Sequence, residues 1–187
     1  MVSCMINDIY TVGYTSFTPD QMIEILKKLS IGCLIDVRSV PASSYAPQYN
    51  QAEFSQKVQE NGIYYRNYKE FGARQSERRY YTEEGYLDFE RYVLSEGFLL
   101  GKRKVLAGME LNYRFVLMCA EKDPLDCHRA IMVARPFSEE GFRVKHLLPH
   151  ETDRRRRPWH SGSRQGAPPP ASPARGAGHR LRAQSPW

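Results

Sequence analysis

Apolar residues along the first 150 positions form either short continuous runs or stretches with helical spacing. Continuous runs bounded by turn residues predict buried strands, whereas apolar residues at intervals of three and four predict amphipathic helices. The runs predict strands at residues 9–12, 34–37, 63–68, 114–119 and 144–148. The helical stretches occupy residues 18–29, 50–62, 86–95, 98–111 and 126–135. Strands separated by helices predict a three-layer α/β domain, in which helices flank a mostly parallel sheet.

Two of the predicted helices begin with the sequence pattern of a capping box. Thr18 is followed three residues later by Gln21, and Asn50 is followed at the same interval by Glu53. In a capping box the side chain of each residue bonds the backbone N–H of the other. We therefore expect reciprocal hydrogen bonds at both helix starts.

Charge is unevenly distributed along the chain. The net charge of +6 arises after residue 150, where 8 Arg oppose 2 acidic residues; the preceding part holds 19 basic and 19 acidic residues. Residues 151–187 are rich in Arg, Pro, Gly, Ala and Ser, so they bury too little apolar surface to offset the entropy of ordering. We predict a folded domain at residues 1–150 and a disordered tail at residues 151–187.

The sequence has the features of a cytoplasmic protein. No apolar run approaches the roughly 20 residues that span a bilayer, and the first residues do not resemble a secretory signal. Reduced thiols are therefore expected for the four cysteines, Cys4, Cys33, Cys119 and Cys127. We expect no membrane partner, and the sequence leaves the oligomeric state open.

Reactive side chains follow the predicted strands, at ends that parallel pairing places along one edge of the sheet. Asp36, Glu121 and His128 are candidates for proton transfer, and Cys119 and Cys127 are candidates for a catalytic nucleophile. A position for Cys127 in the first turn of the predicted 126–135 helix would favour its thiolate. The alternative for either cysteine is a buried, inert thiol.

Two arginines are candidates for binding an anion at this edge, Arg38 and Arg129. Loop residues with hydroxyl groups would assist them, namely Tyr14, Thr15, Ser39 and Ser43. The structural alternative is that the side chains of Asp36 and Arg38 are each held by a salt bridge or cap neighbouring loop amides. No glycine-rich nucleotide loop of the expected form occurs, so no cofactor is predicted. The leading interpretation is binding of a small anionic or nucleotide-like ligand, with an enzymatic reaction as one outcome.

A metal site is not predicted from these residues. Cys119, Cys127, His128 and His146 offer four ligand types, but the chain has no C-x-x-C pair. Adjacent residues such as Cys127 and His128 rarely bind one ion together, and a structural zinc site needs four ligands.

A rival interpretation is a nucleic-acid-binding or repair-associated module. Arg74, Arg78 and Arg79 lie beside Tyr80 and Tyr81, and arginine next to aromatic residues binds phosphates and stacks on bases. The basic tail would contribute, although the neutral body weakens this interpretation. A third interpretation is a structural or interaction domain, in which the charged residues form a buried polar network.

Four motifs occur in the order TVGYTS, LIDVRSVPASS, FGARQ and LMCAEKDPLDCHR. They resemble the family called domain of unknown function 488, over about residues 8–150. The resemblance implies an α/β domain with a shared pocket around the Asp-x-Arg and Cys-His-Arg motifs, and no established reaction. The family's first motif usually reads Thr-Ile-Gly-His-Ser, whereas Tyr14 and Thr15 occupy its His and Ser positions here. A mechanism that uses this histidine as a base is not expected in this chain.

Overall fold

A computed structural model describes residues 8–149 and contains one five-stranded sheet. The strands are β1 (Asp8–Gly13), β2 (Cys33–Asp36), β3 (Tyr64–Asn67), β4 (Phe115–Cys119) and β5 (Arg143–Leu147). Their order across the sheet is β3-β2-β4-β1-β5, and every neighbouring pair is parallel. The predicted α/β class and parallel sheet are confirmed. The predicted tail at residues 151–187 lies outside the described residues.

Helices cover both faces of the sheet. They are α1 (Pro19–Lys28), α2 (Gln51–Glu60), α3 (Phe89–Tyr92), α4 (Glu96–Glu110) and α5 (Arg135–Glu139), the last preceded by π-helical turns at Arg129–Ala134. Apolar residues of α1 and α2 form the core on one face, and those of α4 and the Arg129–Glu139 segment form the core on the other. The result is the predicted three layers. Within residues 8–149 no helix has the length and apolar composition of a membrane span.

The two predicted capping boxes have different outcomes. At α1 the prediction is confirmed: Thr18 Oγ1 accepts a hydrogen bond from the Gln21 N–H at 3.3 Å, and Gln21 Oε1 accepts one from the Thr18 N–H at 2.9 Å. At α2 the prediction is wrong. Asn50 Oδ1 instead accepts a hydrogen bond from the Ser43 N–H at 2.7 Å, because the preceding loop folds back onto the start of the helix.

The predicted helix at residues 86–95 is much shorter than expected. Leu87 forms an isolated antiparallel bridge with Tyr81, which excludes it from the helix. Asp88 then caps α3 by accepting a hydrogen bond from the Arg91 N–H at 3.0 Å. Helical structure is therefore confined to four residues.

The last predicted helix begins later than the sequence indicated. A turn closes at residues 124–127, where the Cys127 N–H donates to the Pro124 carbonyl at 3.3 Å. The π-helical segment starts only at Arg129, with His128 as its cap. Cys127 therefore lies just before the helix rather than inside its first turn. Its carbonyl still accepts the first helical hydrogen bonds, from the N–H groups of Ala130 and Ile131 at 3.1 and 3.4 Å.

The loop after β4 packs directly against the end of β1. Gly13 ends β1, and a side-chain Cβ at this position would overlap the carbonyl of Glu121. Beyond Gly13, both the backbone N–H and the hydroxyl of Thr15 donate to the Ala120 carbonyl, at 3.2 and 2.7 Å. Glycine is thus required at position 13 because there is no space for a Cβ atom. The backbone conformation is not the reason, because a φ of −103° is accessible to any residue.

We expect Gly13→Ala to lower the free energy of unfolding by about 1–3 kcal/mol, the usual cost of overpacking. The matched control is Gly97→Ala in α4, where the nearest atom to a new Cβ is Glu70 Cβ at 3.9 Å. The control should leave stability unchanged or raise it by up to about 1 kcal/mol. Urea unfolding of both variants measures the difference, and equal stabilities would contradict the close approach of the two loops.

Candidate functional site

Four reactive side chains converge beyond the carboxyl end of β4. They belong to Cys119, Glu121, Cys127 and His128, and each contributes one potential ligand atom within 4.8 Å of all the others. Cys119 and Glu121 alternate at the strand end, so they point to the same side of the sheet. The turn at residues 124–127 brings the other two back to this point. The structure thus brings together four of the five predicted catalytic residues.

One carboxylate oxygen joins the two cysteines. Glu121 Oε2 lies 3.0 Å from Cys119 Sγ and 2.9 Å from Cys127 Sγ, within hydrogen-bond distance of both thiols. Glu121 is exposed, whereas both sulfur-bearing residues are buried. The carboxylate of a solvent-exposed residue therefore contacts both buried thiols.

The imidazole of His128 has a defined orientation. Its Nε2 lies 3.1 Å from the carbonyl oxygen of Val37, which immediately follows β2. A carbonyl only accepts hydrogen bonds, so Nε2 carries the proton in this contact. In the neutral ring, Nδ1 is then the acceptor, and it lies 3.7 Å from Cys119 Sγ. The contact links the end of β2 to the cluster at the end of β4.

Arg129 holds the loop that carries Glu121. Its side chain is completely buried. Nη1 donates to the Glu121 carbonyl at 2.7 Å, and Nη2 donates to the Lys122 carbonyl at 3.1 Å. Both terminal nitrogens are therefore occupied by the backbone of this chain. The geometry supports a positioning role for Arg129, and its predicted role in anion binding stays a prediction.

The proximity of these groups changes their acid–base behaviour. The pKa of the Cys127 thiol falls to about 6, chiefly through a hydrogen bond from Cys119, while the same contact and burial raise the pKa of Cys119. Burial would raise the pKa of Glu121, but hydrogen bonds from the two thiols hold it below its usual value. Burial would lower the pKa of His128, yet contact with Cys127 raises it. At Cys33, by contrast, burial raises the pKa to about 11.

Asp36, the fifth predicted catalytic residue, lies on the opposite face of the sheet. Its carboxylate binds Arg38 through Nε and Nη2, the latter at 2.6 Å, and accepts a hydrogen bond from the Tyr65 hydroxyl at 2.6 Å. Arg38 also donates to the Tyr49 carbonyl and lies over the Tyr14 ring, 5.0 Å from its centroid. Sequence reasoning missed Tyr65, because the register between β2 and β3 is not visible in the sequence. Tyr65 pairs with Leu34, two residues before Asp36, and therefore lies on the same face of the sheet as Asp36. These residues form a buried ion-pair network of their own.

Comparison with known proteins places the chain in a family. A family model described as "Domain of unknown function DUF488" matches residues 18–135, more than half of the chain. The chain belongs to this family. No curated protein and no solved structure matches the chain. The matched range of DUF488 includes Asp36, Arg38 and the Cys127–Arg129 segment, and it begins after Tyr14 and Thr15.

The hydroxyl-bearing residues predicted to bind a ligand all make internal contacts in this DUF488 chain. Thr15 bonds Ala120, Ser39 Oγ accepts from the Arg74 N–H at 2.8 Å, and Ser43 Oγ accepts from the N–H groups of Tyr45 and Ala46; Tyr14 is buried and stacks on Tyr49 at 4.5 Å. Their loops are thereby ordered. Arg38 Nη1 is buried and has no hydrogen-bond partner among the described residues, so it is a guanidinium nitrogen that a ligand could engage.

The Arg- and Tyr-rich segment is also largely engaged in contacts of its own. Arg79 pairs with Glu77 at 2.7 Å and lies over the Tyr80 ring, which is buried. The Tyr81 hydroxyl bonds the backbone of Gln75. A surface cavity of about 460 Å³ is lined by Gln75, Ser76, Arg78, Tyr81, Thr82, Glu83 and Gly85, and by none of the four clustered residues. Nucleic-acid binding stays a prediction, and no contact among residues 8–149 specifically favours it.

We expect Arg129→Met to loosen the loop at residues 120–128, because two carbonyls lose a charged hydrogen-bond donor worth about 1.5–3 kcal/mol each. Amide hydrogen exchange in this segment should accelerate by about 10-fold or more. The control is Arg114→Met, which removes an exposed arginine that donates to a single carbonyl, that of Leu29. Unchanged exchange in Arg129→Met would contradict the positioning role.

Proposed function

We propose that this DUF488 chain is a thiol-dependent enzyme that transfers a group from a small ligand, with Cys127 as the nucleophile. The observation that carries the proposal is the 2.9 Å separation between Cys127 Sγ and Glu121 Oε2. A nucleophile within hydrogen-bond distance of a base is the usual arrangement for covalent catalysis. Glu121 is the exposed residue of the cluster, so a ligand would approach from its side.

The backbone supplies a second favourable contact for an attacking sulfur. The Arg129 N–H points to Cys127 Sγ at 3.5 Å, and such a donor stabilises negative charge on sulfur. Cys119 has no corresponding backbone donor among the hydrogen bonds of residues 8–149. We therefore assign the attack to Cys127 and a supporting role to Cys119.

The proposed reaction has two balanced steps. In the first, the sulfur of Cys127 bonds the transferred group, and the thiol proton passes by way of the Glu121 carboxylate to the departing leaving group. In the second, Glu121 takes a proton from water, the resulting hydroxide equivalent bonds the group, and the proton returns to Cys127. The net change is hydrolysis of the ligand, with the enzyme restored. Proton transfer of this kind contributes about 10²–10⁴-fold to a rate.

These two steps define the proposed ligand class. The ligand is a small molecule with an electrophilic centre and a leaving group. An anionic or nucleotide-like ligand stays a prediction, because Arg129 is occupied by the loop and Arg38 by Asp36. Two guanidinium nitrogens support an anionic ligand, because Arg38 Nη1 and Arg129 Nε are both buried without a hydrogen-bond partner among the described residues. Arg38 Nη1 lies in the network on the opposite face of the sheet.

The test uses p-nitrophenyl acetate as an acyl donor with the full chain after treatment with a chelator. We expect a burst of nitrophenolate, and peptide mass spectrometry should locate the acetyl group on Cys127. Cys127→Ser should abolish the burst, and Glu121→Gln should slow it by about 10²–10⁴-fold. Cys33→Ser is the matched control, because Cys33 is buried like Cys127 but lies in β2, outside the site. Its burst should equal that of the wild type.

Two outcomes would contradict the proposed function. One is acetylation at Cys33 or at no cysteine. The other is a burst in Cys127→Ser and Glu121→Gln at the wild-type rate.

A further inference from the structure

We propose that Cys119, Glu121, Cys127 and His128 together bind one thiophilic metal ion, of which zinc fits the donor set best. Two sulfurs, one imidazole nitrogen and one carboxylate oxygen form this set, all within 4.8 Å of one another. The inference goes beyond the proposed enzymatic role and does not depend on it.

The spacing of the donor atoms fits a tetrahedral ion. Zinc binds sulfur at about 2.3 Å and nitrogen or oxygen at about 2.0–2.2 Å, which places neighbouring ligand atoms about 3.3–3.8 Å apart. Cys119 Sγ and His128 Nδ1 already lie 3.7 Å apart. Glu121 Oε2 lies 3.0 and 2.9 Å from the two sulfurs, so its carboxylate would move outward by less than about 1 Å. Since Glu121 is exposed, this movement meets little resistance.

The chemistry of the donors selects the ion. Thiolates favour zinc, copper(I) and iron–sulfur clusters, whereas imidazole suits zinc, copper, iron and nickel. A set with two sulfurs is a poor choice for magnesium or calcium, which bind oxygen. Zinc accepts sulfur, nitrogen and oxygen in one tetrahedral site.

The surroundings of His128 match those of a metal ligand. Ligating histidines nearly always donate their second ring N–H to a carbonyl or carboxylate, which fixes the ring. Here Nε2 contacts the Val37 carbonyl at 3.1 Å, and Nδ1 remains directed at the cluster. This arrangement needs no rearrangement of the imidazole.

The backbone around the site is already held in place. Arg129 donates hydrogen bonds to the carbonyls of Glu121 and Lys122, and the loop that contains these two residues packs against Gly13. Cys119 belongs to the central strand β4, which is buried along its whole length. No metal site was predicted from the sequence, because the chain has no C-x-x-C pair and because Cys127 and His128 are adjacent. In the fold the turn and the start of the helix place both side chains at the same point.

Metal binding and the proposed attack by Cys127 exclude each other, because both require the same sulfur. The metal-bound protein would be protected from electrophiles, and the metal-free protein would be the reactive form. Zinc should therefore block acetylation of Cys127 by p-nitrophenyl acetate.

The test is titration of the chelator-treated full chain with Co²⁺, followed by absorption. We expect one equivalent to produce intense sulfur-to-cobalt charge-transfer bands and the visible bands of a tetrahedral ion, both removed by one equivalent of Zn²⁺. Cys119→Ser, Cys127→Ser and Glu121→Gln should each weaken binding by at least about 10–100-fold. Cys33→Ser and His146→Gln are the controls and should bind as the wild type does.

Absence of the sulfur-to-cobalt bands in the wild type would overturn the inference, as would unchanged binding in both site-cysteine variants. Glu121→Gln distinguishes loss of a metal ligand from loss of the fold. Glu121 is an exposed residue, so the unfolding curve of this variant should match that of the wild type. The two proposals fail separately. A burst at Cys127 without cobalt bands contradicts the metal site alone, and cobalt bands without a burst contradict the enzymatic proposal alone.

Discussion

A buried guanidinium determines the shape of the site. Arg129 is fully enclosed and donates to two successive carbonyls of the loop that follows β4. Burying a charge is costly unless polar groups compensate it, so the loop and the arginine stabilise each other's positions. The backbone of Glu121 is thereby held in place, which brings its carboxylate next to the sulfurs of Cys119 and Cys127. The same loop packs against Gly13 at the end of β1. The cluster of reactive side chains depends on this contact.

The sheet divides the polar residues of the strand ends into two groups. Side chains alternate along a strand, so Asp36 faces the side of α1 and α2 while Val37 and Cys119 face the side of α4. On the first side Asp36 binds both Arg38 and Tyr65, and Arg38 also binds the backbone of Tyr49, which leaves only Nη1 of Arg38 without a partner in this network. On the second side the thiols, carboxylate and imidazole have few other partners. The reactive groups are therefore concentrated on the second side of the sheet.

The sequence predicted the fold well because hydrophobic runs and helical spacing are local signals. It also predicted that Cys119, Glu121, Cys127 and His128 lie at one edge, since parallel strands end together. It did not predict the direction of Arg129, because whether an arginine faces solvent or the interior depends on packing from distant segments. The Asn50 cap failed for the same reason: the Ser43 N–H, which competes for its side chain, comes from a loop whose path is set by tertiary structure.

Both proposals depend on the convergence of two sulfurs, one imidazole and one carboxylate at a single point. Zinc K-edge X-ray absorption of the full chain loaded with one equivalent of Zn²⁺ tests this most directly. We expect two sulfur atoms at about 2.3 Å and two nitrogen or oxygen atoms at about 2.0–2.2 Å from the ion. A coordination sphere of nitrogen and oxygen alone, without sulfur, would contradict this expectation.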